Sequence, residues 1–333
     1  MSQHLRRVTA LDVAKEAGVS KTTVSYVLNE TPHQKIPEET RDRVLAAVRR
    51  LNYTPNSVAR ALRLGHSDTV LLLMPDWPLG PVLAGIIDAL TTALERHGLF
   101  LMMRRESAGK SLASLWQDAA PAAVVAFHDV DDRDVELMRE AGVHVATALL
   151  TSERPSGQEF VLPQESIGAL QVQHLASKGH TRIAYAALRD VRVQTFVDLR
   201  VRGAERAAFE LGLAKLEVSS MDIEVEAAVE TIERWKGLDP AVTAVAAYND
   251  ELAVAILAGL RASDLSAPRD LAVVGVDDEP LARFAFPPLT SVKQDERLIA
   301  GYLAQLIVSG MSGETAAAPV GPDSISLVVR DST

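Results

Sequence analysis

Residues 8–29 read VTALDVAKEAGVSKTTVSYVLN and residues 39–62 read ETRDRVLAAVRRLNYTPNSVARAL, and these two stretches decide how the front of the chain folds. Thr9 is placed to cap a helix, with Asp12 three residues on and Val8 before it as a hydrophobic staple. Leu11, Val13, Ala14 and Ala17 then fall largely on one face. Gly18 supplies a turn, and Ser20 caps a second helix whose apolar stripe is Val24, Val27 and Leu28. Two short helices joined through Ala17-Gly18-Val19 make a helix-turn-helix unit. A third helix begins at Pro37, with Glu38 and Glu39 favourable in its first turn. Its apolar set of Val44, Leu45, Ala47, Val48 and Leu51 gives the pair a surface to pack on, because units this small must share one core.

Charge separates this head from the rest of the 333 residues. The chain carries a formal net charge of -10, which alone argues against a nucleic-acid partner. Residues 1–66, however, hold 11 Lys/Arg and 6 Asp/Glu, so the head is net +5 and the remainder is net -15. A small basic head on a large acidic body is the asymmetry expected when only the head meets a polyanion. With Cys at 0, disulfides, thiolate nucleophiles and Cys-ligated zinc are excluded. The longest apolar run, Thr69–Pro75, is far short of the ~18–20 residues that span a bilayer. No apolar signal region follows the basic N-terminus, so the expectation is a cytoplasmic protein, neither exported nor membrane-bound.

The second helix carries the chemistry of the head. Lys21, Thr22, Thr23, Ser25, Tyr26 and Asn29 lie off the Val24/Val27/Leu28 stripe. Laid in a major groove, such a helix brings its N-terminal Lys21 and Thr22 to base edges. Thr9, Ser20, Ser25 and the Tyr53 hydroxyl suit phosphate contacts, which set register without reading sequence. The plain alternative for each residue is a solvated polar helix face.

Over residues 8–64 the chain resembles the DNA-binding head of the lactose/galactose-repressor (LacI/GalR) family of bacterial transcription regulators. By that resemblance Lys21, Thr22 and Tyr26 read bases, while Asn29, His33, Tyr53 and Asn56 lie near the DNA backbone. The stretch Asn56–Leu64, after Pro55 and ended by Gly65, resembles the hinge helix, too short to be stable alone in water. Leu62 is then a wedge for a central minor-groove step, with Ala59 beside it. Two departures stand out: Tyr26 replaces the usual Arg, losing a bidentate guanine contact, and the Glu30–Pro37 loop is slightly longer.

Beyond Ser67 the pattern alternates. Strands are predicted at Val70–Met74, Phe100–Met103, Ala122–Phe127, Val143–Ala148, Ile183–Ala187, Ala244–Tyr248 and Leu271–Val276. Helices are predicted at Val82–His97, Ser111–Asp118, Asp132–Ala141, Ser166–Lys178, Gly203–Leu211, Val225–Lys236 and Glu251–Ala262. Near-continuous apolar strands joined by amphipathic helices indicate parallel sheets covered on both faces, here two doubly wound α/β lobes. Ligands of such sheets bind outside the carboxyl ends of the strands, in the cleft between lobes. The pieces KGHTRIAY (178–185), LRVRGAERAAFELGL (199–213), AAYNDELAVAIL (246–257), LAVVGVDDEP (271–280) and PPLTSVKQD (287–295) resemble the same family and, through it, periplasmic sugar-binding proteins. The expected division is a head at 1–54, a hinge at 55–66, a first lobe at 67–160 plus 290–320, and a second at 161–289 plus 321–333.

The resemblance places Arg200, Asn249 and Asp277 at an effector, with Trp77, Ile86 and Phe127 as apolar walls from the facing lobe. Arg200 offers a bidentate donor pair, Asn249 both donor and acceptor, and Asp277 an acceptor; a structural Arg200–Asp277 ion pair is the alternative. The chain has Leu149-Leu150 where relatives often have Asp, and Met221–Glu226 lacks a sugar-stacking aromatic. Either the effector is not a typical hexose or pentose, or the regulator is effector-insensitive; the first reading is preferred. His128, His144, His174 and His180 show no metal spacing, and no catalytic constellation or phosphate-cradling motif is evident, so neither cofactor nor metal nor enzymatic activity is expected. The expectation is a homodimeric repressor on a near-palindromic operator, modulated by a small molecule of unidentified class. A solute-binding protein of the same body fold is the rival. No heptad extension for a tetramer is read at Asp331-Ser332-Thr333.

Overall fold

The computed structural model describes residues 8–28, 36–53, 67–106, 112–127, 130–149, 159–313 and 324–333. The predicted hinge helix and the positions Asn29, His33, Asn56, Ala59 and Leu62 lie outside the described residues, as do His128 and Leu150. The chain divides into two units, residues 1–67 and 68–333.

In the first unit, α1 (Ala10–Ala17), α2 (Lys21–Leu28) and α3 (Glu38–Arg50) form the predicted three helices. Thr9 and Asp12 close a reciprocal capping box at the start of α1, which satisfies two otherwise orphaned backbone donors. Gly18 ends α1 in the left-handed region (φ 64, ψ 38), where a side chain would strain the backbone. The Ser20 hydroxyl accepts from the Thr23 N–H at 3.0 Å and so caps α2. Val13, Val24, Val44 and Ala47 are fully buried at the centre of this unit. Leu11, predicted on the apolar face, is 49 % exposed, because it lies six residues from Ala17 and therefore on the flank of the stripe. An Arg50–Glu16 ion pair at 3.1 Å ties α3 to α1.

The second unit contains two sheets. The first runs in the order β2-β1-β3-β4-β5, all parallel, from β1 (Thr69–Met74), β2 (Phe100–Arg105), β3 (Ala123–Ala126), β4 (His144–Leu149) and β5 (Glu159–Val161). Its strand β1 shows why its apolar run is continuous. Leu71 and Leu73 pack with Trp116 of α5 (Leu112–Ala119) and Met138 of α6 (Asp132–Glu140). Val70, Leu72 and Met74 face the other way, against α4 (Pro81–Glu95) and α11 (Glu296–Ser312). Both faces of a central parallel strand are thus dry. The edge strand β2 departs from that expectation: Phe100, Met102 and Met103 remain about half exposed, at 54, 47 and 48 %.

The second sheet has the order β11-β10-β9-β8-β6-β7, from β6 (Ile183–Leu188), β7 (Glu217–Met221), β8 (Ala244–Ala247), β9 (Ala272–Val276), β10 (Thr290–Gln294) and β11 (Ile325–Val328). Among the described residues only the β10–β11 pairing is antiparallel. Its helices are α7 (Gln164–Ser177), α8 (Gln194–Glu210), α9 (Val225–Lys236) and α10 (Asp250–Ala262). The segment from Thr290 was expected in the first lobe, but β10 pairs with β9, Val292 against Val276. The chain therefore leaves the second sheet after Gln294, and α11 packs on the first sheet before β11 returns. Besides β10, α11 and β11, the sequence pattern misses strands β5 and β7 and the first half of α8. Strand β7, EVSSM, is an edge strand with only alternate residues buried, and α8 starts nine residues before Gly203, its first turns burying Arg200 beside Val197 and Leu199 and so lacking a purely apolar stripe.

Helices α7 and α8 approach so closely that a Cβ at Gly168 would collide with the Arg200 backbone carbonyl, and one at Gly203 with that of Glu165. Gly168→Ala is expected to destabilise the second unit by about 3 kcal/mol, since backbone cannot yield as a side chain can. A lowered urea midpoint measures it; an unchanged midpoint contradicts the helix contact.

Candidate functional sites in the head and the cleft

On the head, α2 exposes Lys21 and Thr22 to solvent at its N-terminus, with Thr23, Ser25 and Tyr26 half-buried along its length. Two of the hydroxyls assigned to phosphate contacts, Thr9 and Ser20, already have local work. Thr9 donates to Asp12 at 2.7 Å, and Ser20 and Thr23 share a contact of 2.9 Å at the α2 cap. Tyr53 packs its ring against the small core of the head. These residues hold the helix pair in shape first, and a phosphate would compete with or share those bonds.

In the second unit, a cleft of about 460 Å³ opens at the carboxyl ends of both sheets. That volume suits a small molecule. All six residues predicted for the effector, Trp77, Ile86, Phe127, Arg200, Asn249 and Asp277, line it. Parallel topology explains their convergence: Phe127 follows β3, Asn249 follows β8 and Asp277 follows β9. Arg200 reaches the cleft differently. It lies in the middle of α8, not at a strand end or helix start, because α8 is longer than its apolar pattern suggests.

Arg200 is 4 % exposed and fixed from two sides. Its Nε donates to Gln164 Oε1 at 2.8 Å and its Nη1 to the Tyr248 carbonyl at 2.5 Å, with the guanidinium 4.6 Å from the Tyr248 ring centroid. It does not pair directly with Asp277, whose Oδ1 instead accepts from Gln294 Nε2 at 3.0 Å. Asn249 caps α10: its Oδ1 accepts from the Leu252 N–H at 3.0 Å, and its Nδ2 donates to Glu251 Oε2 at 3.5 Å, so the side chain is tied to the start of α10 at both ends of its amide. Tyr248, Gln164, Gln294, Glu279 and Phe196 also line the site and went unread in the sequence. Phe196 alone had a signal, standing one helical turn before Arg200 on the same face of α8.

The aromatic wall missing from Met221–Glu226 is supplied elsewhere. Trp77 packs on Phe127 at 5.3 Å between centroids and edge-on against Phe196 at 4.7 Å. Trp77 comes from the first lobe and Phe196 from the second, so the rings bridge the mouth of the cleft.

The acidic turn after β9 is strained and clamped. Asp277 and Asp278 both have positive φ, 105 and 49, a region that side chains disfavour. Asp277 N–H donates to the Val292 carbonyl at 2.7 Å, and Asp278 accepts from Arg330 at 2.5 Å. Beneath them Asp250, with no exposed surface, accepts from the Glu279 N–H at 2.8 Å and from Ser291 Oγ at 2.7 Å. Burial, offset only in part by those two bonds, pushes the Asp250 carboxyl up to about 7. Among the described residues no group of three or more His, Asp or Glu is placed to hold a metal ion, and no helix is long and apolar enough to cross a membrane.

Two outcomes follow from this geometry. Asn249→Ala removes the α10 cap and is expected to cost about 1 kcal/mol of stability, while Asn249→Ser retains it; paired thermal melts measure the difference. Asp250 binds its proton more tightly folded than unfolded, so its contribution is full below about pH 4 and is lost as pH rises towards about 7. Melts of the wild type should therefore fall across that window more steeply than those of Asp250→Asn. Equal slopes would show that Asp250 titrates normally.

Comparison with known proteins places this geometry. Residues 9–56 match the bacterial regulatory proteins of the lacI family, and residues 172–333 match the periplasmic binding protein-like domain. The HTH-type transcriptional regulator CelR of Thermobifida fusca is 32 % identical over 325 residues, covering 93 % of this chain and 94 % of that protein. A solved CelR–cellobiose complex is 29 % identical with a TM-score of 0.64, covering 98 % of this chain and 100 % of that one. The Lac repressor dimer bound to operator and an anti-inducer shares the fold, with a TM-score of 0.80 at 24 % identity over 98 % of this chain and 99 % of that one. With its head, its two-lobed body and a relative at this level over nearly its whole length, the chain belongs to the lacI family of bacterial regulatory proteins.

Proposed function

We propose that the protein is a homodimeric transcriptional repressor that binds a near-palindromic operator and is modulated by a small molecule in the interlobe cleft. The observation that carries this reading is the union in one chain of a basic helix-turn-helix head, its polar α2 turned to solvent, with a ligand-sized cleft at strand ends. Lys21 and Thr22 read base edges from the N-terminus of α2, and Tyr26 contacts bases as an aromatic and hydroxyl group in place of a guanidinium. Thr9, Ser20, Thr23, Ser25 and Tyr53, with Asn29, His33 and Asn56, set the register on phosphates. Leu62, with Ala59 beside it, opens a central minor-groove step as a wedge.

Two heads related by a two-fold axis match two half-sites. The half-exposed apolar edge strand, with Phe100, Met102 and Met103, is a surface of the kind a second copy covers. A ligand held between the lobes biases their relative closure, and its binding and that of DNA are then reciprocally linked. The relatives named above are regulators, and no catalytic role is assigned to this chain; the cytoplasm is the location that suits its task. The fused basic head argues against a solute-binding component.

Operators selected from random duplex DNA with the full-length protein test the reading, with affinity measured by fluorescence anisotropy against salt. Log K is expected to fall steeply and linearly with log salt. Leu62→Ala should weaken selected operators at least about tenfold, one good contact's worth, while barely changing affinity for unrelated duplex. Absence of any duplex binding at low salt by folded protein would overturn the proposal.

A further inference from the structure

The charges lining the cleft are not balanced. Arg189 is taken by Asp222 at 2.8 Å and Arg192 by Asp190 at 2.6 Å, which among the described residues leaves Arg200 as the lone guanidinium facing Asp277, Glu251 and Glu279. Glu279 is the unusual member. The residue is 6 % exposed, its backbone N–H is anchored on Asp250, and its carboxylate lines the cleft with no hydrogen-bond or ion-pair partner among the described residues. The residue is buried as a whole while its carboxylate opens on the cleft, and a charge so confined and unpaired is poorly solvated, so a ligand donor there is favoured. Glu251 and Asp277 repel it further, and burial with that repulsion pushes its carboxyl up to about 7.

We propose that the effector carries a positively charged nitrogen that binds at Glu279, with Asp277 and Glu251 around it and the ligand's carbon skeleton against the Trp77–Phe196 wall. The inference rests on the cleft being the effector site. A hydroxyl would give Glu279 one donor yet leave three carboxylates against one guanidinium. An ammonium or amidinium supplies several donors and cancels charge in the same place, and the ring faces attract it as well. An anion meets the same carboxylates as repulsion.

The experiment is calorimetry on the full-length protein with matched sets differing in one group. One set is D-glucosamine, D-glucose and D-glucuronate; another is putrescine, 1,4-butanediol and succinate. The amine of at least one set is expected to bind about tenfold or more tightly than its neutral counterpart, with the anion weakest. Glu279→Gln, close to isosteric, should erase that preference, and Glu279→Asp should retain part of it if the substituted chain melts like wild type. Neutral members binding as well as amines, a preference that survives Glu279→Gln, or no amine binding at all would each overturn the proposal. Trp77→Ala separates the two layers of the argument. If a neutral compound binds and Trp77→Ala weakens it, the cleft remains the effector site and only the cationic assignment falls. If Trp77→Ala and Phe196→Ala leave all binding untouched, the ligand sits elsewhere and the cleft reading falls too.

Discussion

The carboxylate of Asp250 is the contact on which the cleft depends. It has no exposed surface, yet it accepts from the Glu279 backbone and from Ser291 and so holds down a turn whose two aspartates sit at positive φ. Left alone, such a turn would relax, because each side chain in that region costs of order 1–3 kcal/mol. The antiparallel return of β11 adds a second tether through Arg330, which reaches Asp278 and the Leu289 carbonyl. Strain stored in the turn is thereby converted into a fixed position for Asp277 and Glu279 at the edge of the cleft.

The same economy of fixed geometry shows in Arg200. A guanidinium with so little exposure needs partners, and Gln164, the Tyr248 carbonyl and the Tyr248 ring hold it through Nε, Nη1 and one face. Gly168 and Gly203 permit the helix contact that brings Gln164 of α7 within reach of α8. A preorganised, already partnered arginine orients a ligand without having to be ordered by it. Opposite, the Trp77–Phe196 contact joins the two lobes through aromatic rings alone, an interaction weak enough to be exchanged for a ligand.

In the head, local chemistry and long-range purpose use the same atoms. Thr9, Ser20 and Thr23 are bound within their own helix starts, so the shape of the helix pair is set before any partner arrives. Lys21 and Thr22, next to that cap, are left to solvent. The basic surplus of residues 1–66 and the acidic surplus of the rest are properties of composition, and they assign the partners of the two units without reference to contacts.

What the amino-acid order determined unaided is whatever is local or periodic. The capping box at Thr9, the left-handed Gly18, the dry strand Val70–Met74 and the alternation of strand with helix were all legible, because caps, turns and burial on two faces impose nearest-neighbour patterns. The convergence of Phe127, Asn249 and Asp277 on the cleft follows from strand ends, whereas Ile86 and Arg200 reach it from within helices, and the resemblance, not periodicity, singled them out. Tertiary structure alone decided the rest. The crossing after Gln294, the edge strand β7 and the early start of α8 have weak periodicity, since an edge strand is buried on alternate residues only and the buried face of α8 includes the charged Arg200. That Arg200 prefers Gln164 to Asp277, that Phe196 completes the aromatic wall, and that the Glu279 carboxylate faces the cleft without a partner among the described residues are facts of distance between segments far apart in sequence. Pairings of that kind leave no periodic trace, because they depend on where whole helices come to rest against the sheet.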